Sequence, residues 1–459
     1  MRLVIFGTGK IYQTFKKKIN REDKIIAFLD NDRKKAGKKM DDAYIFLPED
    51  IKSLNYDQII LVSQYARQMK KQLLELGCNR EQIIHFAEYN SNVKKPMQYY
   101  QALGIKNKQR RKMAIISNPL GYHGGAIAAL NCALALKDSY CDIDLIAEEG
   151  TQSFINEINK QGISVILCPN ISMNKWEKIK WIDQYDYILV NTLPMILCAI
   201  EIAKYRSVFV WLHDSENIYR YMDYWKEDIL QGLNSNVKIY AVSNIAKNNF
   251  IYNIGQWPID ILPCGMPEAK NYCIKEDKLV FAVIGSIYPI KGQDIFIRAL
   301  KKLSKTYCCQ PQYWIIGKVV DEDYYQQLRE LSKGLDNLVF LGEIEKSKMQ
   351  DIYPQIDILV VPSRNETLSL TAIEAMSYGK LCIVSDAAGI TQYISNMQNG
   401  IIFENACVDE LADRLYWCIQ NKDEIVNMKK ESRKTYEYFF TMDVFQNNLL
   451  DVLQIKRNA

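Results

Sequence analysis

The residues best placed to do chemistry lie in one stretch, DILVVPSRNETLSLTAIEAMSYGKLCIVSD, from Asp357 to Asp386. Glu366 and Glu374 stand eight positions apart within it. The pattern predicts a strand (358–361), a polar loop (362–367), a helix (368–378), a stop at Gly379 and a second strand (381–385), which is a βαβ unit. Thr367 and Ser369 are helix-capping types, so the N–H groups from Leu368 to Thr371 would stand free at the positive end of a helix dipole. Such a helix start takes an anion. The chemistry implied is recognition of a phosphate-bearing ligand with a carboxylate on either side.

Three other places carry suitable residue types. Lys291 and Gly292 follow the strand LVFAVIG in a loop, SIYPIKGQD, that suits an anion. A loop lysine is ordinarily just solvated; its neighbours promote this one. Gly124 and Gly125 open a helix predicted over 126–137, where absent side chains let a ligand approach the backbone. A tight turn would need the same glycines. His213 falls just past a strand at 208–212, on the side where open α/β sheets bind ligands. A buried, satisfied histidine is the plain alternative, but Asp214, Ser215 and Glu216 beside it predict exposure.

These positions require a repeating strand–helix framework, and the chain supplies it. Strands and helices alternate over residues 1–88, with Gly7 and Gly9 after the first strand and Asp30 closing the second. That sketches a dinucleotide fingerprint, but Tyr12 stands at the third glycine, so a ligand-free or regulatory module is the preferred reading. Residues 89–111 are basic (Lys94, Lys95, Lys106, Lys108, Arg110, Arg111) with Tyr99, Tyr100 and Leu103 interleaved. A solvated linker is preferred to a helix on anionic lipid, because the apolar face is short. Trp176, Ile179 and Trp181 among Lys175, Lys178 and Lys180 read as a half-buried amphipathic helix or a membrane contact. Strands then recur from 113 to 242, Pro263–Gly265–Pro267 marks a connector, and a further α/β unit starts at Leu279.

The 459 residues exceed one hydrophobic core, and a net charge of +4 is too small to imply a nucleic acid partner. Twelve cysteines without CxxC pairs and three histidines imply reduced cytosolic thiols, with no disulfide frame and no zinc site. The opening MRLVIFGTGK is too short in apolar residues for a signal peptide, and the stretch 188–203 is interrupted by Asn191, Pro194 and Glu201.

From about Lys112 onward the chain resembles the retaining GT-B glycosyltransferases of the GT4 group. The resemblance rests on the Gly124–Gly125 loop, His213, the GSIxxxKG loop from Gly285 to Gly292, and the E-x7-E element Glu366–Glu374, in that order. It implies an α/β chain of two facing Rossmann-like domains preceded by a third, small one. The expected divisions are 1–88, a linker at 89–111, an acceptor-side domain at 112–265, a nucleotide-sugar domain at 266–440, and a C-terminal helix at 441–459 packing back on the first GT-B domain. The resemblance further implies transfer of a sugar from a nucleotide sugar, a UDP- or GDP-sugar, to a glycan or lipid-linked acceptor of a bacterial surface polysaccharide. No metal is expected, and the location is the cytoplasm or the inner membrane face.

By the same resemblance Glu366, His213 and Lys291 are the catalytic set. Lys291 neutralises the diphosphate, helped by Gly285, Ser286 and the segment Leu368, Ser369, Leu370 and Thr371. Glu374 accepts from the ribose, Gly317, Gly342 and Ile344 line the base, and Gly124 and Gly125 close over the donor. DxD triplets at Asp30–Asp32, Asp142–Asp144 and Asp321–Asp323 are read as chance. Departures are Ser286 where relatives often have Arg, Thr367 and Ser369 where they often have Gly, and Gln392 at a usually acidic position. They leave a second reading open: a catalytically silent accessory subunit that binds a partner enzyme or glycan.

Overall fold

A computed structural model describes residues 1–91, 96–102, 110–137, 140–269, 279–304 and 311–455. It contains three sheets. The first has six strands in the spatial order Lys39–Met40, Ala43–Phe46, Lys24–Leu29, Arg2–Phe6, Gln58–Leu61 and Ile83–His85. Only its outermost pair is antiparallel. Tyr12 is fully buried there, edge-on to Phe28 at 5.0 Å.

The second sheet has eight strands, ordered Ile259–Ile261, Val237–Ala241, Val208–Leu212, Tyr187–Asn191, Arg111–Ser117, Cys141–Ala147, Ser164–Leu167 and Gln98–Tyr100. The third has six parallel strands, ordered Leu338–Gly342, Gln312–Ile316, Val280–Ile284, Ile358–Val361, Leu381–Ser385 and Ile401–Phe403. Central strands such as VFVWL and ILVV are buried along their whole length, as parallel strands covered on both faces must be. The helix Gly124–Leu136 is apolar nearly all round and correspondingly buried.

The basic stretch corrects one expectation. Gln98–Tyr100 is not linker but an edge strand, antiparallel to Val165–Leu167. Three residues are too few for a period to register. Lys94, Lys95, Leu103, Lys106 and Lys108 lie outside the described residues. Trp176 and Ile179 are buried, with Trp176 stacked on Tyr205 at 4.3 Å, so their apolar face belongs to the core. No helix among the described residues is long and apolar enough to cross a membrane.

The chain crosses between the second and third sheets twice, at 262–269 and again near Phe440. Helix Lys422–Phe439 packs on the third-sheet domain, and Tyr436 donates its hydroxyl to the Met266 carbonyl at 2.9 Å. Helix Met442–Leu453 returns to lie on Gly124–Leu136, where Phe445 stacks on Trp211 at 5.5 Å.

Candidate active site

Strand Ile358–Val361 ends at Pro362, and the loop after it carries Glu366. Helix Leu370–Ser377 then starts at Ser369, whose backbone has φ 76° and whose Oγ accepts from Ala372 N at 3.4 Å. Thr367 does not cap this helix. Its hydroxyl donates instead to the His213 carbonyl at 2.8 Å.

Lys291 closes a short turn, Pro289–Lys291, followed by Gly292 at φ 69°. A Cβ on Gly292 would collide with the Pro362 carbonyl, so glycine brings this loop against the one bearing Glu366. Lys291 Nζ pairs with Glu366 Oε2. Burial works against the ammonium charge, yet the Glu366 carboxylate outweighs it and holds the Lys291 pKa above its usual value. Next to this pair, Arg364 forks onto Asp294 at 2.7 and 2.8 Å and so ties the Glu366 loop to the start of helix Gln293–Ser304.

The facing wall comes from the second sheet. His123 caps helix Gly124–Leu136, with Nδ1 accepting from Ala126 N at 3.5 Å and Nε2–H donating to the Pro119 carbonyl at 2.8 Å. Asn191 Nδ2 donates to the Gly125 carbonyl at 2.9 Å. Thr192, at φ 81°, is buried with its hydroxyl unpartnered.

His213 packs edge-on to Trp211 at 4.2 Å, and its Nε2 is buried without a protein partner. Burial, with His123 nearby, lowers its pKa to about 3, so the ring is neutral at physiological pH. The expectation that its neighbours keep this position exposed is corrected at Asp214. That carboxylate is only 7% exposed, because it turns inward to accept from Leu193 N at 2.6 Å. Burial raises it to about 6 despite that bond.

The two walls enclose a cavity of about 630 Å³. It is lined by Gly124, Gly125, His213, Gly285, Ser286, Lys291, Glu366, Leu368, Ser369, Leu370 and Thr371, with His123, Thr192 and Asn365 added by the structure. His123 escaped the sequence reading although an imidazole directly before Gly-Gly is a usable signal. Four anticipated residues are not in this lining. Gly317 packs against the Gly285 carbonyl and donates to the Gly342 carbonyl at 2.8 Å, Ile344 is half-buried, and Glu374 accepts from the Tyr353 hydroxyl at 2.9 Å. Burial raises the Glu374 pKa, with Tyr353 opposing the rise. A concavity of about 760 Å³ between residues 395–399 and helix Lys422–Phe439 shares none of the cleft residues.

One aspartate of each DxD triplet is committed elsewhere. Asp30 is bonded by Thr8 and Lys35, Asp144 accepts from the Tyr185 hydroxyl at 2.7 Å, and Asp321 caps helix Glu322–Leu331. The nine described cysteines are unpaired. Chemically, the cleft offers one cation and a helix N-terminus to an anion, and a carboxylate and a neutral imidazole to hydroxyl groups.

Comparison with known proteins fits this arrangement. An uncharacterized glycosyltransferase of Haemophilus influenzae is 23% identical over 345 residues, spanning 70% of this chain and 94% of that protein. The D-inositol 3-phosphate glycosyltransferase of Mycobacteroides abscessus is 25% identical over 150 residues, 32% of this chain and 33% of its own length. The structure of Anabaena Alr3699/HepE in complex with UDP-glucose superposes with TM-score 0.65 at 16% identity, covering 75% of this chain and 99% of that one. Sucrose-phosphate synthase from Thermosynechococcus elongatus gives 0.63 at 16% identity, covering 75% and 98%. These structures establish the GT-B fold. Residues 1–84 match a family described as C2185-like, N-terminal. Residues 268–435 match the model described as glycosyl transferases group 1, in a chain whose fold is GT-B.

Proposed function

We propose that this chain is a retaining, GT4-type glycosyltransferase that moves a sugar from a UDP- or GDP-sugar to a glycan or lipid-linked acceptor of a bacterial surface polysaccharide. The observation that carries the reading is the Lys291–Glu366 pair beside the start of helix Leu370–Ser377, inside the interdomain cavity. A diphosphate entering there takes the Lys291 ammonium as its counter-ion and the Leu370 and Thr371 N–H groups as donors. Glu366, released from Lys291, accepts from hydroxyls of the donor sugar. Neutral His213 has an unpartnered Nε2 for a sugar hydroxyl. As the sugar–phosphate bond breaks, negative charge grows on the departing diphosphate, where Lys291 and the helix N-terminus stabilise it. This arrangement works without a metal ion, and one aspartate of each DxD triplet already serves as a cap or as a hydrogen-bond or ion-pair partner.

Ribose binding by Glu374 requires the ligand to reach past the cavity lining, as does base binding by Gly317, Gly342 and Ile344. The residue 1–88 unit is a ligand-free or regulatory Rossmann-like module in this reading, and the protein works in the cytoplasm or on the inner membrane surface.

Glu366→Ala and Lys291→Ala are each expected to lower sugar transfer at least about 100-fold with the unfolding midpoint kept. The assay is release of nucleoside diphosphate from UDP- and GDP-sugars in the presence of a lipid-linked saccharide mixture. Full activity in both variants would contradict the assignment of these residues, and a wild-type chain that transfers no sugar would favour the accessory-subunit reading.

A further inference from the structure

Three groups tie the cleft walls together beside Glu366. Thr367, the next residue, donates its hydroxyl to the His213 carbonyl at 2.8 Å. Its own carbonyl accepts from the hydroxyl of Ser243, a fully buried residue that also caps helix Asn244–Asn253. The first N–H of that helix, at Asn244, donates across to Gln392 Oε1 at 2.9 Å. Gly389 makes the approach possible, since a Cβ there would collide with the Thr367 carbonyl and crowd the Ser243 hydroxyl. The Glu366–Thr367 loop is braced from behind, with Glu366 N donating to the Ala387 carbonyl at 3.1 Å and Gly389 N donating to the Glu366 carbonyl at 2.8 Å. The chain crossings at 262–269 and near Phe440 also hold the two domains together.

We infer that Thr367 is a positioning residue for transfer, and that Thr367, Ser243 and Gln392 form a latch setting His213 at a fixed distance from Glu366. The inference rests on reading the cleft as a sugar-transfer site. His213 has no protein partner at Nε2, so beyond its edge-on packing on Trp211 nothing at that nitrogen fixes the ring's place in the cleft. Its backbone does so, through a bond to the residue that follows Glu366. One interdomain hydrogen bond therefore links the backbones beside both groups that would grip the sugar. Opening the latch separates them while Lys291 stays with Glu366 on the second wall. The latch thus governs turnover more than donor binding.

The test uses the full chain and three variants. Thr367→Val removes the donor but keeps the β-branched shape, Thr367→Ser keeps the donor, and Gln392→Ala removes the acceptor for Asn244. For Thr367→Val, kcat should fall about fivefold to tenfold, the worth of one neutral hydrogen bond, with donor KM within about twofold. Thr367→Ser should restore most of kcat. Hydrogen exchange of the Asn244 amide should quicken in Gln392→Ala and Thr367→Val, with no loss of protection in the strands. Wild-type kcat and wild-type exchange in Thr367→Val would overturn the latch, as would a Thr367→Ser variant no better than Thr367→Val. If the wild-type protein transfers no sugar, the exchange measurement alone decides. Faster Asn244 exchange then supports the latch while the proposed function falls, and unchanged exchange overturns the latch itself.

Discussion

Asp214 shows how a residue's environment reverses its expected behaviour. Its ordinary pKa is 3.8, and burial raises it to about 6 although backbone N–H groups favour its charge. Between those values the folded chain holds a proton that the unfolded chain releases. Stability therefore falls as pH rises from about 4 to about 6, and the loss persists above that. Asp214→Asn keeps an acceptor for Leu193 N–H without a charge to desolvate. It should exceed wild type by up to about 3 kcal/mol at pH 7.5, with the gain shrinking toward zero at pH 4. Urea unfolding at both pH values measures this, and an equal offset at both would contradict it. Lys291, Glu366 and Ser369 were legible in the sequence because each sits in a loop between a clear strand and a clear helix. The burial of Asp214 was not, since the Leu193 amide that draws it inward belongs to a segment 21 residues earlier. Thr367 was misassigned as a cap for the same reason: its partner, the His213 carbonyl, lies across the cleft.

At the scale of elements, the strand-to-helix turns do the positioning, and glycines set how closely they meet. Gly292→Ala would place a Cβ at φ 69° against the Pro362 carbonyl, so it should cost more than about 2 kcal/mol and displace Lys291. Gly124→Ala meets only Leu370 Cδ1 at 3.9 Å and should stay within about 0.5 kcal/mol of wild type. Denaturant midpoints of the two variants provide the check, and a Gly292→Ala protein as stable as wild type would contradict the account of that loop. The alternating elements that frame the cleft were readable because long buried runs of Val, Ile and Leu alternate with helical periods. Ends were less so. Helix Gln293–Ser304 starts at the residue after Gly292, inside the stretch read as the loop SIYPIKGQD. The Gln98–Tyr100 strand exists only through its pairing with Val165–Leu167, a long-range contact that no local pattern encodes.

At the scale of the molecule, the residue 1–88 unit docks on the first wall of the cleft. His85 is completely buried among Phe86, Tyr221, Tyr224 and Trp225, Trp225 Nε1 donates to Glu88 at 3.2 Å, and Arg67 pairs with Asp223 and Glu227 at 3.3 and 2.7 Å. Helix Glu216–Met222 carries Tyr221 toward this interface and Ile218 into the cavity lining, so one element touches both. Neither side of the dock announced itself in the sequence, because its partners are about 140 residues apart and each half reads as an ordinary amphipathic surface. On the proposed function, the cleft takes a nucleoside diphosphate. The most direct measurement is a thermal-shift screen of wild type and Lys291→Ala against UDP, GDP, ADP and CMP. At about 100 times Kd a bound nucleotide adds about 2.7 kcal/mol, enough to raise the midpoint by a few degrees. At least one of the diphosphates should do so for wild type, and Lys291→Ala should lose most of the shift. No shift with any diphosphate, or an equal shift in Lys291→Ala, would contradict the account.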